Sequence, residues 1–307
     1  MNQADIETFL MLVRTKNITK TAENLFVSQP TVSHRLKLLE EELGASLLIR
    51  KKGYKKVELT AKGEEFVPLA QRWLALMQET RSLKNARDEM HLNIGCTNTL
   101  NSSIFVDLYR RILRNTDTRI KLNISTHYSY EIYELLENHA VDAGFVYHDL
   151  HFKNIVVEPI LQEKMFIVQN RDGALMKDKI SVDELDPERE VAFMWETNYQ
   201  VWHEQMISKG HRNYLEVDIY NLLQAFLEEK GRWAIAPLTV ARQLLGEGNV
   251  HVCEIAGRPQ PPQRVTYMIH HRDMSVSKKE TLKIFVGTLQ EHFRQYGLSG
   301  FSETEIL

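Results

Sequence analysis

The stretch "NITKTAENLFVSQPTVSHRLKLLEEELG", Asn17–Gly44, places two short amphipathic segments back to back. In the second, Val32, Leu36, Leu39 and Leu43 recur at helical spacing and form an apolar stripe that ends near Gly44. Ser28 is placed to cap this helix, and Pro30 is tolerated because first-turn amides have no intrahelical partner to lose. At about 100° per residue, Pro30, His34 and Lys37 lie opposite the stripe, flanked by Thr31 and Ser33. Gln29 and Arg35 fall nearer its edge. Small uncharged polar groups on a helix face suit close contact with a surface that offers hydrogen-bond donors and acceptors.

Working outward, Ile6, Phe9, Leu10 and Val13 mark an opening amphipathic helix. Thr19 is the expected cap of a second helix, with Ala22, Leu25 and Phe26 on its buried side. A short helix docked on its predecessor has the geometry of a helix-turn-helix reader. Gln29, Thr31, Ser33 and His34 are expected to enter a major groove, where glutamine pairs with adenine and threonine meets thymine methyls. Arg35 and Lys37 are expected on phosphates. Downstream, Arg50, Lys51, Lys52, Lys55 and Lys56 cluster without an acid around Gly53-Tyr54. That run reads as a β-hairpin wing able to grip phosphates, closing on Val57 and Leu59.

Here a resemblance becomes specific. "TAENLFVSQPTVSHRLKLLEEELGASLLIR" followed by "VELTAKGEEF" resembles the N-terminal domain of LysR-type transcriptional regulators, over roughly residues 4–66. The joint spacing of Ala22, Leu25, Ser28-Gln29-Pro30, Ser33, Leu39-Glu40, Leu43-Gly44, Arg50 and Leu59-Thr60-Gly63 carries it. Lys16, Thr21 and Leu48 depart from the usual residues, and none touches the reader face. The resemblance implies double-stranded DNA with a dyad-symmetric site as partner, and a homodimer or homotetramer. RNA polymerase is a further candidate partner.

Thr60 is placed to cap a longer helix reaching about Met90, with a kink expected at Pro68. Phe66, Leu69, Trp73, Leu76, Thr80, Leu83, Arg87 and Met90 alternate in steps of three and four, a heptad seam that favours a dimer. The family's linker helix, which pairs two subunits, agrees.

From His91 short apolar strands alternate with helices: "HLNIGC", "IKLNIST", "DAGFVYH", "KMFIVQN", then "EVAFMW", "YLEVDI", "WAIAP" and "VTYMIHH". Two small α/β lobes joined by crossing strands suggest a hinged binding protein with its ligand between them. The order is similar to the effector-binding region of the same family, with diffuse support in "LLENHAVDAGFVY" and "FLEEKGRWAIAP". The expected architecture is an all-α winged helix-turn-helix N-terminal domain (1–59) and a linker helix (60–90), followed by an α/β two-lobed, periplasmic-binding-protein-like effector domain (91–307). Its first lobe takes about 91–162 and 268–307, its second about 163–267.

Ligand groups in such a cleft come from strand ends and helix N-termini. In this sequence those positions are Thr97, Asn98, Thr99, His127 and Tyr128 in the first lobe. Trp195, Thr197, Asn198, Tyr220 and Pro237 hold them in the second. The expected ligand is a small organic anion, its carboxylate held by neutral donors at a helix N-terminus. Trp195, Tyr128 and Trp202 keep an aromatic ligand in view.

Bulk properties fit this reading. The chain has 307 residues, 43% hydrophobic and 26% charged, with net charge −3. Residues 1–90 hold 15 Lys+Arg against 12 Asp+Glu and the remainder 23 against 29, so the positive surplus lies in the first ninety residues. No apolar run approaches the roughly 18 residues of a membrane span, and the N-terminus is amphipathic, so the chain reads as cytoplasmic. Cys96 and Cys253 form neither a disulfide framework nor a ligand cluster, and no metal or other cofactor is expected. A redox switch through them is the minority alternative. A solute-binding protein would explain the cleft but not the first ninety residues. An enzyme would need a nucleophile–base set or a phosphate loop, and none stands out.

Overall fold

The computed structural model describes residues 1–49, 57–82, 90–115, 119–208 and 215–298. They form two compact units, one built chiefly on the first 88 residues and one on the rest.

In the first unit, helix α1 (Gln3–Thr15) begins with a reciprocal cap: Asp5 N donates to Asn2 Oδ1 and Asn2 N donates to Asp5 Oδ2, both at 3.0 Å. Helix α2 spans Ile18–Asn24 and is capped by Asn17, whose Oδ1 accepts from Lys20 N, and not by Thr19. The helix starts two residues earlier than expected, which puts Thr19 inside its first turn. Helix α3 (Gln29–Leu43) is capped by Ser28 and ends at Gly44, which adopts φ 62°. Ile6, Phe9, Leu12, Ala22, Val32, Leu36 and Leu39 close the core between these helices.

Two expected core residues lie elsewhere. Phe26 is 95% exposed with φ 55°, because α2 stops at Asn24 and the turn carries Phe26 off its face. Leu43 sits at the last turn of α3 and is 37% exposed. Beyond α3, Glu40 Oε1 accepts from Leu47 N (2.8 Å) and Leu48 N (3.1 Å). That carboxylate steers the chain into a strand, Leu48–Ile49, paired antiparallel with Glu58–Leu59. The residues joining these strands, with the expected turn at Gly53-Tyr54, lie outside the described residues.

Helix α4 (Ala61–Ser82) is capped by Thr60, whose Oγ1 accepts from Gly63 N at 3.0 Å, and it runs through Pro68. Phe66 and Trp73 turn inward against the core of their own unit, whereas Leu69 and Leu76 stand 59% and 53% exposed. The expected seam is therefore divided between two faces. Leu83 and Arg87 lie outside the described residues, and Met90 already belongs to a strand.

In the second unit, five strands form the first sheet in the order 120–126, 90–96, 143–146, 264–271, 155–163. Met90–Cys96 runs parallel to both its neighbours, and Arg264–His271 antiparallel to both of its own. The second sheet orders Trp233–Pro237, Met165–Asn170, Val250–Ala256 and Lys179–Ser181. Each sheet organises its own buried cluster. The chain leaves the first sheet after Glu163 and returns to it at Arg264, and these two residues are register partners. Both crossings therefore meet at the junction of the lobes. The buried Glu163 carboxylate accepts from Thr239 N at 2.7 Å, while burial raises its pKa.

Several elements of this unit carry no clear periodic signal in the sequence. They include the strands Ile155–Glu163, Lys179–Ser181 and Val250–Ala256 and the helices Leu238–Glu247 and Val276–Gln295.

Candidate functional site

Helix α3 presents Gln29, His34 and Lys37 exposed, with Thr31 and Ser33 half-buried. Their exposure follows from the stripe: Val32, Leu36 and Leu39 are buried to 1% or less, which turns the polar residues outward. Thr31 is tied into the cap, its Oγ1 2.8 Å from Ser28 Oγ. Lys37 pairs with Glu41 at 3.4 Å on the exposed surface. Arg35 is held back against α1, donating from Nη1 to Thr8 Oγ1 at 3.3 Å. The expected wing contacts Arg50, Lys51, Lys52 and Lys55 lie outside the described residues.

A 15-residue helix that shows glutamine at its first turn can lay an amide against a base edge. Gln29→Ala should cost about 1–3 kcal/mol on the correct operator and relax one base position. Fluorescence anisotropy on operator and scrambled duplexes checks this; equal loss on both would remove Gln29 from sequence reading.

Between the lobes of the second unit lies a cleft of about 560 Å³. Thr97, Asn98, Thr99, His127, Tyr128 and Trp195 line it. Thr197, Asn198, Tyr220 and Pro237 do not. Thr197 and Asn198 are exposed, and Asn198 Oδ1 accepts from Tyr199 N. Tyr220 is 3% exposed and its hydroxyl donates to Glu247 Oε2 at 2.7 Å. Pro237 is buried, facing Met165 across the sheet.

The expected row of neutral donors is largely occupied. Asn98 Oδ1 accepts from Tyr220 N at 2.9 Å, a bond between the lobes. Thr99 Oγ1 lies 2.7 Å from the Tyr147 hydroxyl. The helix they open, Asn98–Ser102, has only five residues. Thr97 is 7% exposed, its side chain buried beside the same Tyr147 hydroxyl. A second bond between the lobes runs from the Tyr128 hydroxyl to Asp218 Oδ2 at 3.2 Å.

Arg264 is the group that sequence reasoning missed. It is 5% exposed, and its Nε donates to Glu196 Oε1 at 2.9 Å. Its guanidinium carbon lies 3.3 Å from the Tyr147 ring centroid and 4.2 Å from that of Trp195, close enough for both rings to attract the cation. Trp195 is itself fixed, stacked on Phe193 at 4.1 Å and donating from Nε1 to Ile235 O. A cation heading the strand "RVTYMIHH" was a signal available in the sequence, but its place in the cleft depends on the pairing with Glu163.

Cys96 and Cys253 sit in different sheets and are both buried. Burial drives the Cys96 thiol far above its usual range and pushes Cys253 up to about 11. Neither forms appreciable thiolate near neutral pH. Native protein should resist iodoacetamide at about pH 8 while urea-unfolded protein reacts at both thiols. Rapid native labelling, read by mass spectrometry, would reopen the redox alternative. No group of three His, Cys, Asp or Glu able to hold a metal occurs among the described residues.

A reader-helix unit followed by a two-lobed α/β cleft defines the class of protein. The family model for a bacterial regulatory helix-turn-helix protein of the lysR family matches residues 4–64, and that of the LysR substrate binding domain matches residues 85–294. The chain belongs to the LysR family. It is 29% identical over 177 residues to the uncharacterized HTH-type transcriptional regulator YraN of Bacillus subtilis (strain 168), covering 56% of this chain and 59% of that one. It is 30% identical over 145 residues to the transcriptional activator IlvY of Haemophilus influenzae, covering 46% of this chain and 49% of that one. The chain thus spans about half to three-fifths of the length of these relatives. Its fold is similar to that of full-length CbnR crystallised with its target DNA, with TM-score 0.68, 21% identity and coverage of 95% and 100%.

Proposed function

We propose that this chain is a DNA-binding transcriptional regulator that responds to a small carboxylate-bearing molecule held between its two lobes. The observation that carries the reading is the exposed polar N-terminal half of α3, backed by a fully buried stripe, in the same chain as a lined cleft. A solute-binding protein has use for the cleft alone and leaves that helix face without a purpose. The CbnR complex with DNA supports the same reading by likeness of fold. On this reading the protein works without catalytic turnover, in the cytoplasm where its DNA is. It acts as a homodimer or homotetramer on a dyad-symmetric promoter site.

The ligand acts by preferring one arrangement of the lobes, since equal affinity for both would shift nothing. The bonds Asn98–Tyr220 and Tyr128–Asp218, which tie one lobe to the other, are the contacts whose population it would bias.

The test is a mobility shift of the full-length protein on DNA upstream of its own gene, against scrambled duplex of equal length. Preference for the upstream DNA is expected, and equal binding to both would sink the reading. The wing contributes non-specific affinity on this view, so replacing Lys51 and Lys55 should lower the salt slope by up to about two units. A slope that stays the same would remove the wing from the interface.

A further inference from the structure

We infer that Phe26, in the turn before α3, meets a thymine methyl of the target DNA, a step that rests on α3 being the reader helix.

Val27 N donates to Ala22 O at 3.0 Å and Phe26 N to Glu23 O at 3.2 Å, the paired bonds of a Schellman end to α2. That motif puts Phe26 in the left-handed region, with φ 55°. Glycine fits there without strain, whereas a bulky side chain does not. Phe26 carries a second cost in the free protein. At 95% it is the most exposed large apolar side chain among the described residues. Val27 beside it packs against the core, and Ser28 caps α3. Stability of this unit therefore does not explain a phenylalanine here, since its ring is uncovered and its backbone strained.

Its position gives the partner. Phe26, Ser28, Gln29 and Pro30 are exposed within one short run, while Thr21 and Ala22 in α2 are buried. Gln29 follows Phe26 by three residues, so their Cα atoms are at most about 11 Å apart. The major groove is about 12 Å wide. With Gln29 on a base edge, Phe26 stands within one groove width of it. The apolar group that base edges present in that groove is the thymine methyl, and phenylalanine packs against it. That contact removes from water the ring surface which the free protein leaves exposed.

The experiment uses the full-length protein on its preferred site upstream of its own gene, with single thymidines replaced in turn by deoxyuridine. Each exchange removes one methyl and leaves the hydrogen-bonding groups of the base in place. Fluorescence anisotropy compares the parent, Phe26→Gly and Phe26→Tyr. On unmodified DNA Phe26→Gly is expected to bind about fourfold or more weakly, as for the loss of a buried methylene or more. At one position deoxyuridine should weaken the parent and leave Phe26→Gly unaffected, while Phe26→Tyr, which keeps the ring, follows the parent. Positions read by another side chain, such as Thr31, weaken all three proteins alike. Glycine relaxes the left-handed turn, so the melting temperature should hold or rise. Weaker binding by a protein at least as stable is a result that a merely structural phenylalanine does not give. If Phe26→Gly binds as tightly as the parent, or no deoxyuridine position is coupled to Phe26, the inference is overturned while α3 keeps its reader role. A changed sedimentation of the DNA-free Phe26→Gly protein also overturns it, because the ring then serves a contact between subunits. A parent that binds upstream and scrambled duplexes equally overturns the reader helix itself.

Discussion

Replacing Glu196 with leucine is expected to destabilise the sensor unit by about 3–5 kcal/mol, the usual cost of breaking a buried ion pair from one side. Arg264 is 5% exposed and Glu196 16%, so little water can take over the role of the lost carboxylate. The Nε bond at 2.9 Å disappears, and Nη1 is already without a partner in the protein. The guanidinium cannot shed its proton, because arginine stays charged at any accessible pH. Its remaining neighbours are the face of Tyr147, less closely that of Trp195, and the buried carboxyl of Glu163, its register partner. Removing both partners, in Glu196→Leu with Arg264→Leu, should recover most of the loss because no buried charge is then stranded. Urea unfolding of the full-length protein, followed by tryptophan fluorescence, measures this. Trp195, Trp202 and Trp233 all report on the second lobe. A single variant as stable as the parent would show that the pair is not isolated from solvent.

Gly63→Ala should destabilise the DNA-reading unit by about 3 kcal/mol or more, at the upper end of overpacking costs. A Cβ at this position would stand 2.2 Å from Leu47 O and 3.3 Å from Leu59 Cβ. The obstacle is backbone, so no rotamer change relieves it. Leu47 O cannot easily move, because it accepts from Thr60 N at 3.0 Å just where α4 begins. Leu48 is paired with Leu59 alongside. Either α4 must shift its first turn or the strand pair must open, and both disturb the platform beneath α3. Thermal unfolding of the variant should fall by about 4–8 °C for each kcal/mol lost, and specific DNA binding should fall with it. An unchanged melting temperature would mean that the close approach of α4 to Leu47 is not a fixed feature of the unit.

The glycine illustrates how local and non-local information divide. Gly63 belongs to the spacing that marks the family, yet only the approach of Leu47, sixteen positions upstream, explains why a methyl is excluded.

Sequence alone determined what nearest neighbours along the chain control. Ser28, Pro30, the Val32–Leu36–Leu39 stripe and Gly44 specify α3 and its exposed face, since capping, helical period and left-handed termination act within one or two turns. The alternation of strands and helices likewise exposed the two-lobed plan. Its errors were local competitions: Asn17 outbid Thr19 as a cap, and an early stop to α2 turned Phe26 outward. Tertiary structure decided the rest. Ile155–Glu163 carries Pro159, which argues against a central strand, but it lies at the sheet edge, paired beside an irregularity at Thr266/Tyr267 where a missing N–H is tolerated. The polar centre of the cleft is the clearest case. Arg264 meets Glu196 only because the strand it heads registers against Glu163, and Asp218 faces the same space only because the second lobe folds over it. Charges brought together across 46 and 68 positions leave no periodic trace, because their distance is set by sheet register and lobe packing.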